Sequence, residues 1–461
     1  MPISRTSPIH LPGGDAMRVA VFGLGRAGEA TARALVLHDY DVVLSDDNLS
    51  TGHQQLASEL SCELLSVDNS SSRSQFLEGV DLLVPAPGVA PHHPVIVSAL
   101  KKGIAVRSEI DIAYEWEQVR PGGPRPILGV TGTDGKTTTT MIAAELLRSQ
   151  GRSVGEVGNT DLPFVTAVDQ PFDAFVVECS SFRLNFTTGF RCDASAWLNL
   201  APDHLDWHGS IEEYTAAKRQ MWAHVTSNDV VVAPAGNSMI VDVAHSSGAR
   251  CVTFGIDSGD YRVEHGSLVC PSGEIMATSD LWRSLPHDIT NSLAATAMVI
   301  ESGLCDVKEV SMPLGAFESA HHRIELVGQF EGSAWYDDSK ATSPHAALAA
   351  IRSFDRIVLI AGGRNKDLDL AQMATEASRV IGVVAIGEDS DAVAEAFAGK
   401  CPVRIAGSMS QAVAEAHGLI RDRATVLLSP GCTSYDWYAN YNERGDDFQR
   451  QVREHFKSSE R

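Results

Sequence analysis

Residues 127–140 read ILGVTGTDGKTTTT, and this stretch limits the fold more than any other in the chain. An apolar run, Ile127 to Thr131, enters a turn built on Gly132 and Gly135, and a helix-forming run begins at Lys136. A strand that feeds a helix through a glycine turn belongs to a parallel α/β unit, with the turn at the carboxyl end of the strand. The same turn suits a phosphate. Glycines let backbone N–H groups approach its oxygens, and the helix start presents unpaired donors. A lysine adds positive charge, and a hydroxyl can ligate Mg2+. The candidate residues are Gly132, Thr133, Asp134, Gly135, Lys136, Thr137 and Thr138. The match to the pattern G-x-x-x-x-G-K-S/T is incomplete, because the first glycine would fall at Val130 and Gly129 lies one residue early. The core from Gly132 to Thr137 is intact.

A second glycine turn lies near the start. Residues 19–32 read VAVFGLGRAGEATA, placing Gly23, Gly25 and Gly28 in a G-x-G-x-x-G pattern after an apolar strand. Asp46, in VVLSDD, follows Gly28 by 18 residues, near the position of a ribose-binding acid in dinucleotide folds. Taken alone, this turn fits an NAD-dependent oxidoreductase. That reading rests on four residues and explains nothing after residue 120.

The remaining chain repeats the strand–helix rhythm. Apolar segments DVVLSD, DLLVPAPG and GIAVRS complete a first α/β unit, and the Pro/Gly-rich WEQVRPGGPRP at 116–126 reads as a linker. A second unit opens at PILGVTG and contains a short β-rich excursion at 255–285; a third opens near HHRIELV. The expected division is 1–16 as a disordered lead, then domains at 17–120, 121–318 and 319–461. A length of 461 residues suits this. With 37 Lys plus Arg against 59 Asp plus Glu, the formal charge of -22 disfavours non-specific binding to nucleic acid or anionic membrane. No apolar run reaches the roughly 20 residues of a membrane span, and the N-terminus lacks a signal-peptide core, so a cytoplasmic protein is expected. The eight cysteines stand singly, which suggests neither a zinc site nor a disulfide framework.

TGTDGKTT resembles the phosphate loop of the Mur ligases, ATP-dependent enzymes that build the peptidoglycan stem peptide. Further motifs follow in that family's order: VGNTDLPF at 157–164, VVECSSFRL at 176–184, NLAPDHLDWHGSIEEYTAAK at 199–218 and HHRIE at 321–325. DDSKATSPHAAL at 337–348, AGGRNKDLDL at 361–370 and LSPGCTSYDW at 428–437 complete the set. DSKATSPHA and SPGCTSYD are most similar to the D-glutamate-adding members. The resemblance covers nearly the whole chain from Met17. It implies three α/β domains: a Rossmann-like N-terminal domain, a P-loop ATPase-like central domain with a mainly parallel sheet, and a Rossmann-like C-terminal domain.

It also implies a reaction and a set of roles. The terminal carboxylate of UDP-N-acetylmuramoyl-L-alanine attacks the γ-phosphate of ATP, and the amine of D-glutamate attacks the acyl phosphate so formed. Lys136 would neutralise the β- and γ-phosphates. Thr137 and Glu178 would hold a first Mg2+, and His204 would serve a second and the substrate. Lys218, which by its sequence surroundings reads as a surface lysine, would carry a CO2-derived carbamate that bridges to Mg2+. Asn291 would contact adenine, Arg323 the phosphates and Asp338 the ribose side. Lys340, Thr342, Lys366, Ser434, Tyr435 and Tyr441 would grip D-glutamate. Leu24, Gly25, Arg26, Asp46, Asp47 and Gly88 would bind the UDP part of the other substrate, with Asn159 and His204 on its muramoyl side. Tyr435 and Tyr441 depart from the family's usual residues, as does Ala86, where a serine is common. A monomer is expected, with domain closure bringing acyl phosphate and amine together.

Three rivals remain beside this reading. One is the oxidoreductase. A second is another ligase of the superfamily, adding alanine, meso-diaminopimelate or D-Ala-D-Ala, or a folylpolyglutamate synthase, which the complete N-terminal UDP-type domain disfavours. The third is a non-catalytic ATP-binding regulator, disfavoured by the intact set Lys136, Glu178, His204, Lys218 and Lys340.

Overall fold

Buried on both faces, the apolar runs of the sequence become the parallel strands that such continuous patterns favour. The computed structural model describes residues 17–365 and 368–459, so the expected disordered lead and Lys366 lie outside the described residues. Among them the first sheet holds β1 (Arg18–Phe22), β2 (Asp41–Ser45), β3 (Glu63–Leu64), β4 (Leu82–Pro85) and β5 (Ala105–Val106). Its order is β3-β2-β1-β4-β5, all parallel. The order reverses at β1, so the turn between β1 and helix α1 (Arg26–Leu37) opens at the switch point where such sheets bind ligands. Gly23 has φ +88°, and a Cβ on Gly28 would sit 1.8 Å from the Gly23 carbonyl oxygen, so the turn and the helix start meet only because both are glycine.

The last helix of this set, α2 (Glu109–Gln118), is fastened to the segment that follows the central strands. Asp111 is fully buried and takes hydrogen bonds from the Arg107 guanidinium, the Thr188 N–H and hydroxyl, and the Gly189 and Phe190 N–H groups. The Ser108 N–H donates to the Phe186 carbonyl. Five donors on one carboxylate offset the cost of burying its charge. Of the expected linker at 116–126, residues 116–118 are the end of α2, and only 119–126 run without strand or helix.

The central sheet comprises β6 (Ile127–Thr131), β7 (Val154–Gly158), β8 (Ala174–Glu178), β9 (Ala194–Trp197), β10 (Val230–Pro234) and β11 (Arg250–Phe254). It is parallel throughout, in the order β11-β10-β9-β6-β8-β7. Helices α3 (Lys136–Arg148) and α5 (Pro286–Glu301) share one apolar core with it, and α4 (Ile211–Arg219) precedes β10. The β-rich excursion is a separate antiparallel sheet of β12 (Arg262–Glu264), β13 (Ser267–Cys270) and β14 (Gly273–Ala277).

A break between Phe317 and Glu318 divides the chain into two compact units. The second unit has β15 (Glu325–Phe330), β16 (Ser333–Asp337), β17 (Ile357–Gly362), β18 (Val380–Ile386), β19 (Val403–Ala406) and β20 (Thr425–Leu428). The order is β15-β16-β20-β17-β18-β19, parallel except for the antiparallel edge strand β15. The long helix α6 (Tyr441–Ser459) contributes Phe448, Val452 and Phe456 to the same core as Trp335.

Candidate functional site

The turn after β6 is where the first unit gathers its charged and polar groups. Gly135 has φ +81°, and a Cβ there would fall 2.4 Å from the Asn291 Oδ1, so Asn291 of α5 packs directly on the turn. The Lys136 ammonium folds back to donate to the Gly132 and Thr133 carbonyls at 3.0 and 2.9 Å. Lys218, on α4, donates to that same Gly132 carbonyl at 2.7 Å and is only 1% exposed. Its ammonium also lies 4.5 Å from the centre of the Tyr214 ring. Burial, seconded by the positive charge of Lys136, holds the Lys218 pKa well below the usual lysine range. The lysine that reads as a surface residue is therefore packed beneath the glycine turn.

Asn199 lies two residues beyond the end of β9, whose Trp197 pairs with Thr131 of β6. Its Oδ1 accepts the Thr133 and Asp134 N–H groups, both at 2.9 Å, and its amide donates to the Asp134 carbonyl. The Thr133 hydroxyl turns inward, bonded to the Tyr214 hydroxyl at 3.2 Å and accepting the Ala201 N–H. Two of the expected phosphate donors are thus engaged by Asn199, and the open donors belong to the start of α3, at Lys136, Thr137 and Thr138. Neither Asn199 nor Tyr214 stands out in the sequence. The signal that could have found Asn199 is a polar residue at the carboxyl end of the strand next to the loop.

Glu178 closes β8 and pairs with Val130, so it lies one strand over from the same turn. It is 2% exposed. Its Oε1 accepts the Asn159 amide at 2.8 Å, while Oε2 is buried without a hydrogen-bond partner. An orphaned carboxylate oxygen beside this glycine turn fits a hard oxygen-seeking cation such as Mg2+. The Asn159 Oδ1 in turn accepts the Arg183 guanidinium at 2.8 Å. His204 sits at the start of the short helix Leu205–His208, with φ +51°. Its side chain is half exposed, 3.3 Å from the Asp203 carboxylate and tilted against the Phe182 ring.

In the first sheet, Asp46 accepts the Leu24 N–H at 2.6 Å, which ties the ends of β1 and β2 together. The Leu24 side chain is in the core. Gly25 immediately precedes α1, and a Cβ there would meet open space. Arg26 is exposed and paired with Asp161, and Asp47 lies 3.2 Å from His93. Gly88 offers its carbonyl to the Trp207 indole at 3.2 Å.

The second unit holds its own group at the carboxyl ends of β16, β20 and β17. Asp338, expected on the ribose side of the nucleotide, is buried, and its two oxygens accept the Ser429 hydroxyl at 2.7 Å and the Ile324 N–H at 3.3 Å. Burial raises its pKa to about 7, against the opposing pull of Ser429 and the Arg323 charge. The Lys340 ammonium lies 5.9 Å from the Tyr441 ring centre, and the Thr342 N–H bonds back to the Lys340 carbonyl. Ser434 is buried and accepts the Trp437 and Tyr438 N–H groups on its carbonyl, whereas Tyr435 is exposed. Arg444, unremarkable in sequence, is buried and joins these loops. Its guanidinium donates to the Ser339 hydroxyl and carbonyl and to the Cys432 carbonyl. His322, Glu325 and Asp337 also cluster, but the His322 ring is already bonded to Asp337 at 2.7 Å, and the His322 backbone N–H donates to Glu325.

Three models of one protein family match successive parts of the chain. The model of the Mur ligase MurD-like N-terminal domain matches residues 17–108, that of the Mur ligase middle domain 130–299, and that of the Mur ligase glutamate ligase domain 322–432. The chain is similar to the UDP-N-acetylmuramoylalanine--D-glutamate ligase of Frankia casuarinae, at 36% identity over 449 residues, 94% of this chain and 93% of that protein. It is equally similar to the Streptomyces coelicolor protein of the same name, at 36% over 462 aligned residues, 95% and 98% of the two chains. Among solved structures, MurF ligase from Thermotoga maritima in complex with ADP shares the fold. Its TM-score is 0.58 at 14% identity, over 95% of this chain and 99% of that one.

Proposed function

We infer that this chain, which belongs to the Mur ligase family, uses ATP to join D-glutamate to UDP-N-acetylmuramoyl-L-alanine in peptidoglycan precursor synthesis. The observation that carries the inference at the site is the convergence of Lys136 and the buried Lys218 on the Gly132 carbonyl, one strand from the unpaired oxygen of Glu178.

Three anionic partners must meet in this reaction: a triphosphate, the substrate carboxylate and the carboxylates of D-glutamate. Their repulsion is the principal barrier, so fixed positive charge is what the site has to provide. The open N–H groups at the start of α3 face the phosphates, and Lys136, swinging off its own loop carbonyls, neutralises the β- and γ-phosphates. Asn199 keeps the loop from collapsing when that lysine leaves. Thr137 and Glu178 would hold Mg2+, which supplies charge neutralisation between phosphate oxygens and the substrate carboxylate. His204 serves the substrate and a second ion in this reading.

The finer assignment for Lys218 is a carbamate. CO2 reacts with a neutral amine, and burial beside Lys136 favours that form. The product would be an anion near the Lys136 ammonium and would attract it. In the first sheet, the turn at Gly23 to Gly28, with Leu24, Gly25, Arg26, Asp46, Asp47, Gly88 and Asn159, is assigned to the UDP-linked substrate. Asn291 is assigned to adenine, Arg323 to the phosphates and Asp338 to the ribose side. Lys340, Thr342, Lys366, Ser434, Tyr435 and Tyr441 are assigned to D-glutamate, whose carboxylates a lysine would pair with. The enzyme works as a monomer in the cytoplasm in this reading; no helix among the described residues is long and apolar enough to cross a membrane.

The test is phosphate release by the purified chain with ATP and UDP-N-acetylmuramoyl-L-alanine. Release that requires D-glutamate is expected. Release without any amino acid, or none at all, would contradict the reading.

A further inference from the structure

Glu178 does not hold its position alone. Its Oε1 is bonded to the Asn159 amide, and the other end of that amide accepts Nη1 of Arg183 at 2.8 Å. Arg183 is in turn held through Nε by the Glu109 carboxylate at 3.0 Å, and the second oxygen of Glu109 accepts the Val165 N–H at 3.1 Å. Arg183 and Glu109 are 6% and 3% exposed. The four side chains thus form one line of hydrogen bonds, from α2 of the first sheet to the end of β8 in the central sheet.

Each link has a consequence. Asn159 can present either its oxygen or its NH2 to Glu178. The Arg183 donor fixes the choice, because only the amide oxygen can accept it. With the NH2 so directed, Glu178 Oε1 is occupied and Oε2 remains unpaired. Arg183 also brings a buried positive charge near a site that must take up a cation, and Glu109 is the carboxylate that neutralises it.

We propose that Arg183, held by Glu109, is a positioning residue that orients Asn159 and so leaves one oxygen of Glu178 free for the divalent cation. The proposal rests on the assignment of Glu178 as a metal ligand. Outer partners of this kind typically change metal affinity by about 10- to 100-fold when removed. The line also makes the metal site depend on the placement of α2, an element that contributes no ligand.

The experiment is a titration of the full chain with Mn2+ alone, followed by electron paramagnetic resonance, with thermal unfolding in EDTA as the folding control. Arg183→Leu should weaken Mn2+ binding by about 10-fold or more, since the Asn159 amide is then free to turn. Arg183→Lys keeps a cationic donor long enough to approach Asn159 and should retain more of the affinity than Arg183→Leu. Glu109→Gln leaves the guanidinium uncompensated and should weaken binding. Folded Arg183→Leu with wild-type affinity would overturn the proposal, as would Arg183→Lys binding no tighter than Arg183→Leu. If Arg183→Leu does not fold, the comparison of Glu109→Gln with the wild type decides. Glu178→Gln separates the two levels: if it alone weakens Mn2+ binding, the metal assignment stands and the relay fails. If it too binds as wild type, both fall.

Discussion

At the scale of single residues, the clearest lesson is that a lysine's neighbours, not its sequence context, decide its chemistry. Lys218 lies in EEYTAAKRQM, a charged helical run, yet its side chain is buried against the Gly132 carbonyl and the Tyr214 ring. If it carries a carbamate, Lys218→Ala should lose at least ~100-fold in turnover, as the loss of a charge-stabilising group typically does. Short carboxylic acids should restore part of it, and a fully active variant would contradict the role. Asp338 offers a second residue-scale test. Its folded pKa, about 7, lies above the ordinary carboxylate value, so the folded state binds the proton more tightly than the unfolded state. Stability should therefore fall as pH rises from about 4 to about 7, by at most ~1.4 kcal/mol per pH unit. Asp338→Asn should flatten that slope in urea denaturation across the window; an unchanged slope would mean the carboxyl is ionised in the folded protein.

At the scale of elements, what was legible in sequence was local and what was not was contact. The turns at Gly23 and Gly132 are readable because a glycine turn, a strand before it and a helix after it are neighbours in the chain. The β-rich excursion was legible as well, and it forms β12 to β14. The linker at 116–126 was read as a separation, yet its first three residues end α2, which is joined to residues 183–190 through Glu109 and Asp111. No periodicity announces that, because a buried acid and a solvated acid look alike until the covering residues are known. Asn199 and Arg444 were missed for the same reason: each bonds backbone atoms far away in sequence. The Asp111 network can be measured directly. Asp111→Asn leaves Arg107 short of its nearest carboxylate and should cost about 3–5 kcal/mol in urea denaturation. A loss under ~1 kcal/mol would show that the N–H donors, which an amide oxygen can still satisfy, carry most of the stabilisation.

At the scale of the whole molecule, the two glycine turns divide the work. Both announce a phosphate near backbone, and neither says whose phosphate it is. The loop at Gly132, with Lys136, Lys218 and Glu178 around it, has the charge and the open oxygen that ATP and Mg2+ call for. In the proposed reading the turn at Gly23 to Gly28 serves the nucleotide of the other substrate. Most of the architecture followed from strand–helix rhythm, since parallel strands buried on both faces write continuous apolar runs into the sequence. The identity of the amino acid did not follow from rhythm. It came from motif resemblance and from relatives of 36% identity, and it is therefore the claim that most needs an experiment. The direct one offers the purified chain ATP with paired substrates and identifies the nucleotide product by mass spectrometry. UDP-N-acetylmuramoyl-L-alanine with D-glutamate should yield the glutamyl-extended nucleotide, with one ADP and one phosphate per amide formed. Extension of UDP-N-acetylmuramate by L-alanine instead, or no product with any amino acid, would contradict the assignment.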